Sequence, residues 1–323
     1  EIGSNHNNSL KLAKKSILAA AKSGADAVKF QTFKAKNHYS KFTPGFQYLN
    51  KINTFNLIKK LELNRNWQKI LKIYAEKLGL VFFSSPCDAE AVDQLNKIKV
   101  KIHKVASFDI TDQILIKKIA SSKTPIIIST GLTNHEDIKH AIKTCLENKN
   151  NKIILLQCTS LYPAPSRLSN LNAIVSMKKK YGFITGYSDH TIGDHNAIAA
   201  VALGAKVIEK HFTLDRKMKG PDHKFAIEPQ ELKLMIDRVR DIESAMGNGE
   251  KVGPRKEETE MFLKGRRSIH VNKNLKKGST LKKNDLVIKR PGYGIIPSKF
   301  KKLIGKKLKK ALKADQWLTW DMI

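Results

Sequence analysis

The sequence of 323 residues contains only three cysteines, Cys87, Cys145 and Cys158, and their spacing matches no metal-binding motif. This usage excludes a disulfide framework and suits a reducing compartment. No apolar run is long enough to span a bilayer, and the polar start EIGSNHNNSLKLAKK carries no signal-peptide pattern. We therefore expect a cytoplasmic protein that has no membrane partner.

Acidic residues are also scarce, since 29 Asp and Glu face 60 Lys and Arg and give a formal net charge of +31. A nucleic-acid-binding surface is one interpretation of this excess. However, Lys greatly outnumbers Arg and is scattered as KK pairs over nearly every helical segment, whereas nucleic-acid surfaces tend to combine Arg with aromatic residues. We favour solvated lysine-rich helix faces and expect no nucleic-acid partner, although an anionic substrate would still gain from the positive potential.

From residue 1 to 246 the sequence alternates short apolar segments with amphipathic helical segments, which predicts a parallel sheet covered by helices. No Gly-x-Gly-x-x-Gly follows any of these strands, so an open dinucleotide-binding sheet is the weaker alternative. The opening residues read as the tail of a further strand, which we expect to be truncated. Eight βα units over this length predict a TIM (β/α)8 barrel. The complete predicted strands are 27–32, 81–86, 102–107, 125–130, 153–159, 183–189 and 207–213.

The composition of the sequence changes after Gly247. Residues 247–265 are charged and poor in large apolar side chains, which predicts a linker. Residues 266–323 contain short β-like segments and turns, which predict a small, mostly β domain with little core of its own. The expected organisation is therefore a barrel over 1–246, a linker, and a second domain.

Polar residues collect where the predicted strands end, which is where TIM barrels carry their active sites. Lys29 and Lys104 lie inside apolar strands, and a buried lysine requires a negative partner. Hydroxyl groups on neighbouring strands would donate to the same phosphate or carboxylate, although pairing of each lysine with a strand-end glutamate is the alternative. The strand-end set comprises Glu1, Lys29, Gln31, Ser84, Ser85, Lys104, Ser107, Ser129, Thr130, Thr159, Ser160, Tyr162, Ser188, His190, Glu209 and His211.

Two histidines end consecutive strands, His190 in GYSDHT and His211 in VIEKHFT. A lone strand histidine is usually a core residue. Two on adjacent strands, flanked by Asp189 and Glu209, converge on one mouth of the barrel. Neutral imidazoles form a divalent-cation site with open positions, where a substrate oxygen can be polarised.

These stretches resemble the sialic acid (N-acetylneuraminate) synthase family, enzymes that condense phosphoenolpyruvate with an N-acetylated amino sugar. The resemblance covers essentially the whole chain, and the tail resembles the family's antifreeze-like (SAF) domain. It implies a TIM barrel, release of phosphate by C–O cleavage, and a homodimer in which the small domains are swapped. The matching segments are EIGSNHN, GADAVKFQTF, KVASFDI, IIISTGL, QCTSLYPAP, GYSDHTIG, VALGAKVIEKHFTLD, GPDHKFAIEP, RRSI, VIKRPGYGI and WLTWDMI.

The resemblance also implies roles for individual residues. His190 and His211 fall on the positions that hold Mn²⁺ or Mg²⁺. Arg290 falls on the arginine that the partner's small domain inserts into the site. The phosphoenolpyruvate positions are Lys29, Lys104, Ser107, Ser129 and Ser188, and the positions facing the amino sugar are Glu1, Gln31, Tyr162 and Asp222. Glu1 is a hydrogen-bond acceptor for the sugar or a base.

The chain departs from the family pattern at four positions, Asn8, Cys87, Asp109 and Ser160, which stand where Gly, Phe, Glu and Asn are common. Ser160 lies beside the expected phosphate position, so we retain it as a substrate-binding candidate. The acceptor stays open between N-acetylmannosamine and a diacetamido-trideoxy hexose, which would give legionaminate or pseudaminate. Three segments, EIGSNHN, GPDHKFAIEP and WLTWDMI, look closer to the neuraminate and legionaminate branches, and KVASFDI looks closer to the pseudaminate branch. A metal-dependent barrel lyase or aldolase and a non-catalytic binding protein are the remaining alternatives.

Overall fold

The computed structural model describes residues 1–46 and 52–323. The described chain divides into two compact units, Glu1–Gly247 and Asn248–Ile323. Within these described ranges, no helix combines the length and the apolar character needed to cross a membrane.

The first unit is built on a seven-stranded parallel sheet in which the strands follow chain order. Residues 1–3 lie between the two edges of this sheet: the Ile2 amide donates to the Lys29 carbonyl at 2.9 Å, and the Phe212 amide donates to the Glu1 carbonyl at 2.7 Å. The sheet therefore curls into a barrel with eight positions, and the predicted fold is confirmed. The strands are β1 Ala27–Thr32, β2 Val81–Pro86, β3 His103–Val105, β4 Ile126–Ser129, β5 Ile153–Cys158, β6 Ile184–Asp189 and β7 Ile208–Lys210.

Amphipathic helices surround the sheet, and side-chain caps fix several of their starts. The carbonyl oxygen of the Asn134 side chain, for example, accepts hydrogen bonds from the first-turn amides of α7, which satisfies donors that have no partner within the helix. The helices are α1 Leu10–Lys22, α2 Ala35–His38, α3 Thr54–Leu61, α4 Trp67–Lys77, α5 Ala89–Lys97, α6 Gln113–Ser121, α7 His135–Glu147, α8 Asn172–Tyr181, α9 His195–Ala202 and α10 Pro229–Ala245.

The barrel interior has an apolar floor below a polar layer. Phe83, Ile127 and Leu156 pack together inside the barrel. Their strand neighbours Phe82, Ile126, Ile128 and Leu155 belong to clusters packed against the helices. This alternation follows from the period of two along a strand. The floor closes the barrel from within, so polar side chains at the carboxyl ends of the strands face an open mouth.

Three local features differ from the predictions. The region after β1, which reads as one long loop in the sequence, contains α2 and α3, while residues 47–51 of it lie outside the described part. Strand β7 ends at Lys210, so His211 follows the strand instead of belonging to it. The expected linker contains a helix, α11 Thr259–Gly265.

The second unit carries an antiparallel pair, β8 Ser268–Val271 and β9 Leu286–Lys289, and a short helix, α12 Phe300–Leu303. Contrary to the prediction of little core, its fully or nearly fully buried side chains form a cluster of their own. Isolated bridges such as Leu275 with Leu312 tie the loops to this core. Leucines spaced through the loops supply much of the cluster, and a sequence pattern of short strands does not reveal them.

Candidate active site at the mouth of the barrel

A cavity of about 720 Å³ opens at the carboxyl ends of the strands. Glu1 stands at its edge and contacts two lining residues, Gln31 and Lys29. Arg290 belongs to the second unit, where its Nε donates to the Gly265 carbonyl at 2.6 Å. The other candidates all line the cavity: Lys29, Gln31, Lys104, Ser107, Ser129, Ser160, Tyr162, Ser188, His190, His211 and Asp222.

Strand alternation explains which of the neighbouring polar residues reach the cavity. Ser188, His190 and Glu209 line it. Between them, Asp189 faces away and forms a buried ion pair with Lys210 at 2.7 Å. Asp189 therefore stabilises the packing of β6 on β7 and has no place among the cavity groups.

The two predicted lysines converge on the floor of the cavity. Lys104 donates from Nζ to the Ser129 hydroxyl at 2.7 Å and to the Val105 carbonyl at 3.1 Å. Lys29 donates to the Ser85 hydroxyl at 3.4 Å and pairs with the Glu1 carboxylate. Both side chains are almost fully buried. They form a cationic cradle that is open toward the cavity.

Glu209 belongs to the predicted strand-end set, but the sequence analysis assigned it no role; in the structure it lines the cavity. Its carboxylate lies 3.7 Å from Lys29 Nζ and 3.8 Å from Lys104 Nζ, and it accepts a hydrogen bond from the Ser188 hydroxyl at 2.8 Å. The alternative that a strand-end glutamate balances the lysines therefore holds in this structure.

The pKa values in this cluster follow from burial and charge. Burial alone would raise the pKa of Glu209, but the ammonium groups of Lys104 and Lys29 outweigh it and hold that pKa well below its usual range. Burial lowers the pKa of Lys29 to about 8, although the Glu209 carboxylate acts in the opposite direction. Since Lys29, Lys104, Glu209 and Glu1 form one cluster of charges, an entering anion would compete directly with the carboxylates for the lysines.

Hydroxyl and amide groups complete the cradle on the side of β4 and β5. Ser107 accepts a hydrogen bond from the Gly131 amide at 3.0 Å. A Cβ at position 131 would lie 2.4 Å from the Ser160 hydroxyl and 2.8 Å from the Ser107 hydroxyl, so only glycine fits there. Within the described chain, the buried hydroxyl of Ser160 has no hydrogen-bond partner. Gly131, which the sequence analysis missed, therefore brings two potential anion donors close together.

The two histidine rings lie side by side, with centroids 5.3 Å apart and planes inclined at 61°. Nδ1 of His190 lies 2.8 Å from the Thr159 carbonyl, and because a carbonyl only accepts, Nδ1 carries the proton. Nε2 of His190 is left with a free lone pair. Burial lowers the pKa of His211 to about 4, so this ring is neutral at pH 7.

For His190, burial would lower the pKa, but contacts with Cys158 and Thr159 outweigh burial and raise it. On the other side of the pair, an Asp222 oxygen lies 3.3 Å from Nδ1 of His211. Burial would raise the pKa of Asp222, but the contact with His211 more than offsets this and lowers it. Asp222 is therefore ionised beside the imidazole pair.

The donor set fits a divalent cation that keeps open coordination positions. Neutral imidazole is the ligating form, and Asp222 beside His211 is the kind of outer carboxylate that orients a ligating ring. Among the described residues, no group of three or more His, Cys, Asp or Glu side chains is arranged to hold an ion. An ion at this pair would therefore depend on water or substrate oxygens for its remaining positions.

Besides Ser160, two further departures from the family pattern, Cys87 and Asp109, line the same cavity. Burial raises the pKa of the Asp109 carboxyl and, more strongly, that of the Cys87 thiol. His38 approaches the Asp109 carboxylate at 4.0 Å. These groups form a weakly polar corner beside the lysine cradle.

An apolar wall completes the cavity, and sequence reasoning did not anticipate it. It is formed by Phe33, directly after β1, and by Leu57, Ile58 and Leu61 of α3. Every α3 residue that lines the cavity is apolar, whereas Asn56, Lys59 and Lys60 are exposed. The cavity thus has an ionic end and an apolar end.

The cavity brings lysines and serines at the strand ends close to an imidazole pair. Comparison with known proteins shows to which family the chain belongs. The model of the NeuB family matches residues 16–251, and that of the SAF domain matches residues 266–323. The chain belongs to the NeuB family. The predicted family resemblance is confirmed.

Similar NeuB proteins are synthases of nonulosonic acids. The chain is 44% identical to the N,N'-diacetyllegionaminic acid synthase of Campylobacter jejuni, over 98% of this chain and 96% of that protein. It is 36% identical to the pseudaminic acid synthase of the same species, over 97% and 92%. Among solved structures, the N-acetylneuraminic acid synthetase of Leptospira borgpetersenii is 34% identical with a TM-score of 0.73, covering 80% of this chain and 87% of that one. The predicted type of enzyme, a synthase of this family, is confirmed.

Proposed function

We propose that this chain is a nonulosonic acid synthase that condenses phosphoenolpyruvate with an N-acetylated amino sugar. The sugar is N-acetylmannosamine or, as the alternative, a diacetamido-trideoxy hexose. One observation carries the proposal: two buried lysines surrounded by hydroxyl groups share a single cavity with a pair of imidazoles. A phosphate ester and a carbonyl compound can therefore meet there.

Phosphoenolpyruvate occupies the cradle, with its phosphate and carboxylate at Lys29, Lys104 and the surrounding hydroxyls. Charged hydrogen bonds of this kind are stronger than neutral ones, and the groups are held in position before the substrate arrives. The substrate anion replaces Glu209 as the partner of the lysines. The buried ammonium groups therefore have a counter-charge both with and without substrate. The serines in this role are Ser107, Ser129, Ser160 and Ser188.

His190 and His211 would hold the divalent cation, manganese or magnesium, and Thr159 and Asp222 would keep their rings in the ligating orientation. When bound, the ion supplies Lewis-acid polarisation of the acceptor's carbonyl oxygen. Tyr162 packs against His190 with ring centroids 4.4 Å apart and limits the space around that oxygen.

The methylene carbon of phosphoenolpyruvate adds to the aldehyde carbon of the open-chain sugar, and the aldehyde oxygen becomes a hydroxyl group. Water adds to the carbon that bears the phosphate ester, and the C–O bond to phosphate breaks. The oxygen of the water becomes the keto oxygen of the product; one of its protons goes to the new hydroxyl group and the other leaves with phosphate. Lys29 and Lys104 stabilise the departing phosphate. Glu1, with Gln31 donating to it at 3.2 Å, accepts hydrogen bonds from the sugar or acts as a base.

The active form is a homodimer in which the second unit of one protomer covers the barrel of its partner, with Arg290 inserted into the partner's cavity. Apolar side chains exposed around the barrel mouth support this, namely Phe108, Leu132 and Leu161, each more than 40% exposed. The second unit likewise exposes Tyr293 and Trp320. The reaction takes place in the cytoplasm, in keeping with the free thiols of the three cysteines.

A phosphate-release assay tests this proposal. Phosphoenolpyruvate together with an N-acetylated amino sugar is expected to give stoichiometric phosphate and a nine-carbon acid. Activity is expected to disappear after exhaustive chelation and to return with Mn²⁺ or Mg²⁺. Phosphate release without acceptor, or full activity after chelation, contradicts the proposal. Trapping of substrate on a lysine by borohydride would point instead to a Schiff-base aldolase.

A further inference from the structure

The apolar wall of Phe33, Leu57, Ile58 and Leu61 lies across the barrel from the imidazole pair. Residues 1–3 complete a ring of eight positions, in which β6, carrying His190, is three positions from β1 and four from β2. Helix α3 belongs to the connection between β1 and β2. His211 follows β7, which is two positions from β1 and three from β2, so the wall and the imidazoles stand on different sides of one cavity.

Local contacts hold this wall in place, so it is a built feature of the site. The Thr54 hydroxyl at the start of α3 donates to the Pro44 carbonyl at 2.8 Å. At its end, the Glu62 carboxylate accepts from the Ala35 amide at 2.7 Å. Just beyond, Arg65 forms an ion pair with Asp88 at 2.5 Å, which ties the segment to the start of α5.

We propose that the wall receives the end of the acceptor sugar farthest from its aldehyde, and that this end is a methyl group: the acceptor is a 6-deoxy amino sugar. This inference rests on the proposed function, which puts the aldehyde at His190 and His211. In an open-chain hexose the carbonyl carbon and C6 are the two ends of the molecule. With one end at the imidazoles, the other reaches toward α3.

The apolar character of the wall distinguishes a 6-deoxy acceptor from one that carries a hydroxyl group at C6. A methyl group gains by leaving water for contact with Leu57 and Ile58, which are only half-buried by the protein itself. A C6 hydroxyl placed there would lose its hydrogen bonds to water without a replacement from α3. Because an apolar pocket discriminates only moderately against an added hydroxyl, we expect a preference of roughly 10- to 100-fold in kcat/KM.

Two matched pairs of acceptors test this inference. The first is N-acetylmannosamine and 6-deoxy-N-acetylmannosamine, and the second is 2,4-diacetamido-2,4-dideoxymannose and its 6-deoxy form. Each pair differs only at C6. We expect the 6-deoxy member to have the higher kcat/KM for phosphate release in each pair that reacts.

Variants on α3 connect the preference to the wall. Leu57→Asn is expected to bring the kcat/KM ratio of the two pair members close to 1. Ile58→Thr, a smaller change that is less disruptive to folding, is expected to lower the ratio in the same direction. The matched control is Ile70→Asn, an exposed apolar position on α4 outside the cavity, which should leave the ratio unchanged.

The outcomes separate this inference from the proposed function. Turnover of both pair members with equal kcat/KM, or preference for the hydroxymethyl sugar, overturns the inference and leaves the synthase function intact. A 6-deoxy preference that survives both α3 variants also overturns it, because another surface would then be responsible. Absence of phosphate release with all four sugars overturns the proposed function and the inference together.

Discussion

At the scale of single residues, the site depends on a competition for two buried cations. Lys29 and Lys104 are held by Glu209 and by neighbouring hydroxyl groups in this structure. A buried lysine without a counter-charge would be costly, so Glu209 keeps the cradle folded and charged until an anion enters. The lysines were identifiable from the sequence because they interrupt apolar strands. The sequence offered a strand-end glutamate as their partner, but it did not show that Glu209 reaches both lysines, since that contact joins separate strands.

The pKa of Lys29 gives a pH prediction. It is the ammonium form that binds phosphoenolpyruvate, and this form is lost as pH rises through about 8. We therefore expect kcat/KM for phosphoenolpyruvate to fall on the alkaline side of that value, because this parameter reports the free enzyme. The full pH profile at saturating acceptor is the measurement.

The variant Glu209→Gln sharpens the pH test. The carboxylate raises the pKa of Lys29, so its removal should move the alkaline limb to lower pH. Glu76→Gln, on the exposed surface of α4, is the matched control and should leave the profile in place. A limb that stays in the same position in Glu209→Gln would show that Lys29 is not the titrating group.

At the scale of elements, the alternation of strand-like and helix-like segments predicted the barrel, because apolar residues recur at a regular spacing within each of them. The same reasoning predicted which strand ends carry polar groups. It did not find α3, since TFNLIKKL spans barely two turns and is too short to be stable alone. Contacts of Thr54 and Glu62 with distant parts of the chain stabilise this helix, and such contacts cannot be read from a local pattern.

The turn after β4 provides a prediction at this scale. In Gly131→Ala the new methyl group would overlap the hydroxyls of Ser107 and Ser160 and push them out of the cradle. Gly131 does not adopt a positive φ, so the backbone itself tolerates alanine. We expect kcat/KM for phosphoenolpyruvate to fall by about 100-fold, a typical cost of misplaced binding groups. Thermal unfolding should change little, and wild-type kinetics in this variant would contradict the assigned cradle.

At the scale of the whole molecule, the chain folds as two units with separate cores. Lysine-rich helix faces and turns were predictable from composition and carry most of the net charge of +31. The core of the second unit was not predicted, because its leucines are dispersed through turns. The proposed placement of Arg290 in a partner's cavity would be a property of the assembly, so it needs a test on mixed dimers.

Mixing two inactive variants tests this assembly. Lys104→Met removes the cradle of its own barrel, and Arg290→Ala removes the group offered to the partner. In a swapped dimer, a mixed pair contains one complete site, so co-refolded or co-expressed variants should regain about a quarter of wild-type activity. Each variant alone should remain far less active. If Arg290 acts within its own chain, each mixed dimer instead contains two defective sites, and no activity returns.

The account's central claim is that one cavity binds phosphoenolpyruvate at the two lysines and a divalent ion at the two imidazoles. Crystals of the protein with Mn²⁺ and phosphoenolpyruvate, measured at the manganese absorption edge, test it directly. We predict an anomalous peak bonded to both His190 and His211, with the phosphate in contact with Lys29 and Lys104. A manganese peak bonded to neither ring, or phosphoenolpyruvate bound away from both lysines, would contradict the claim.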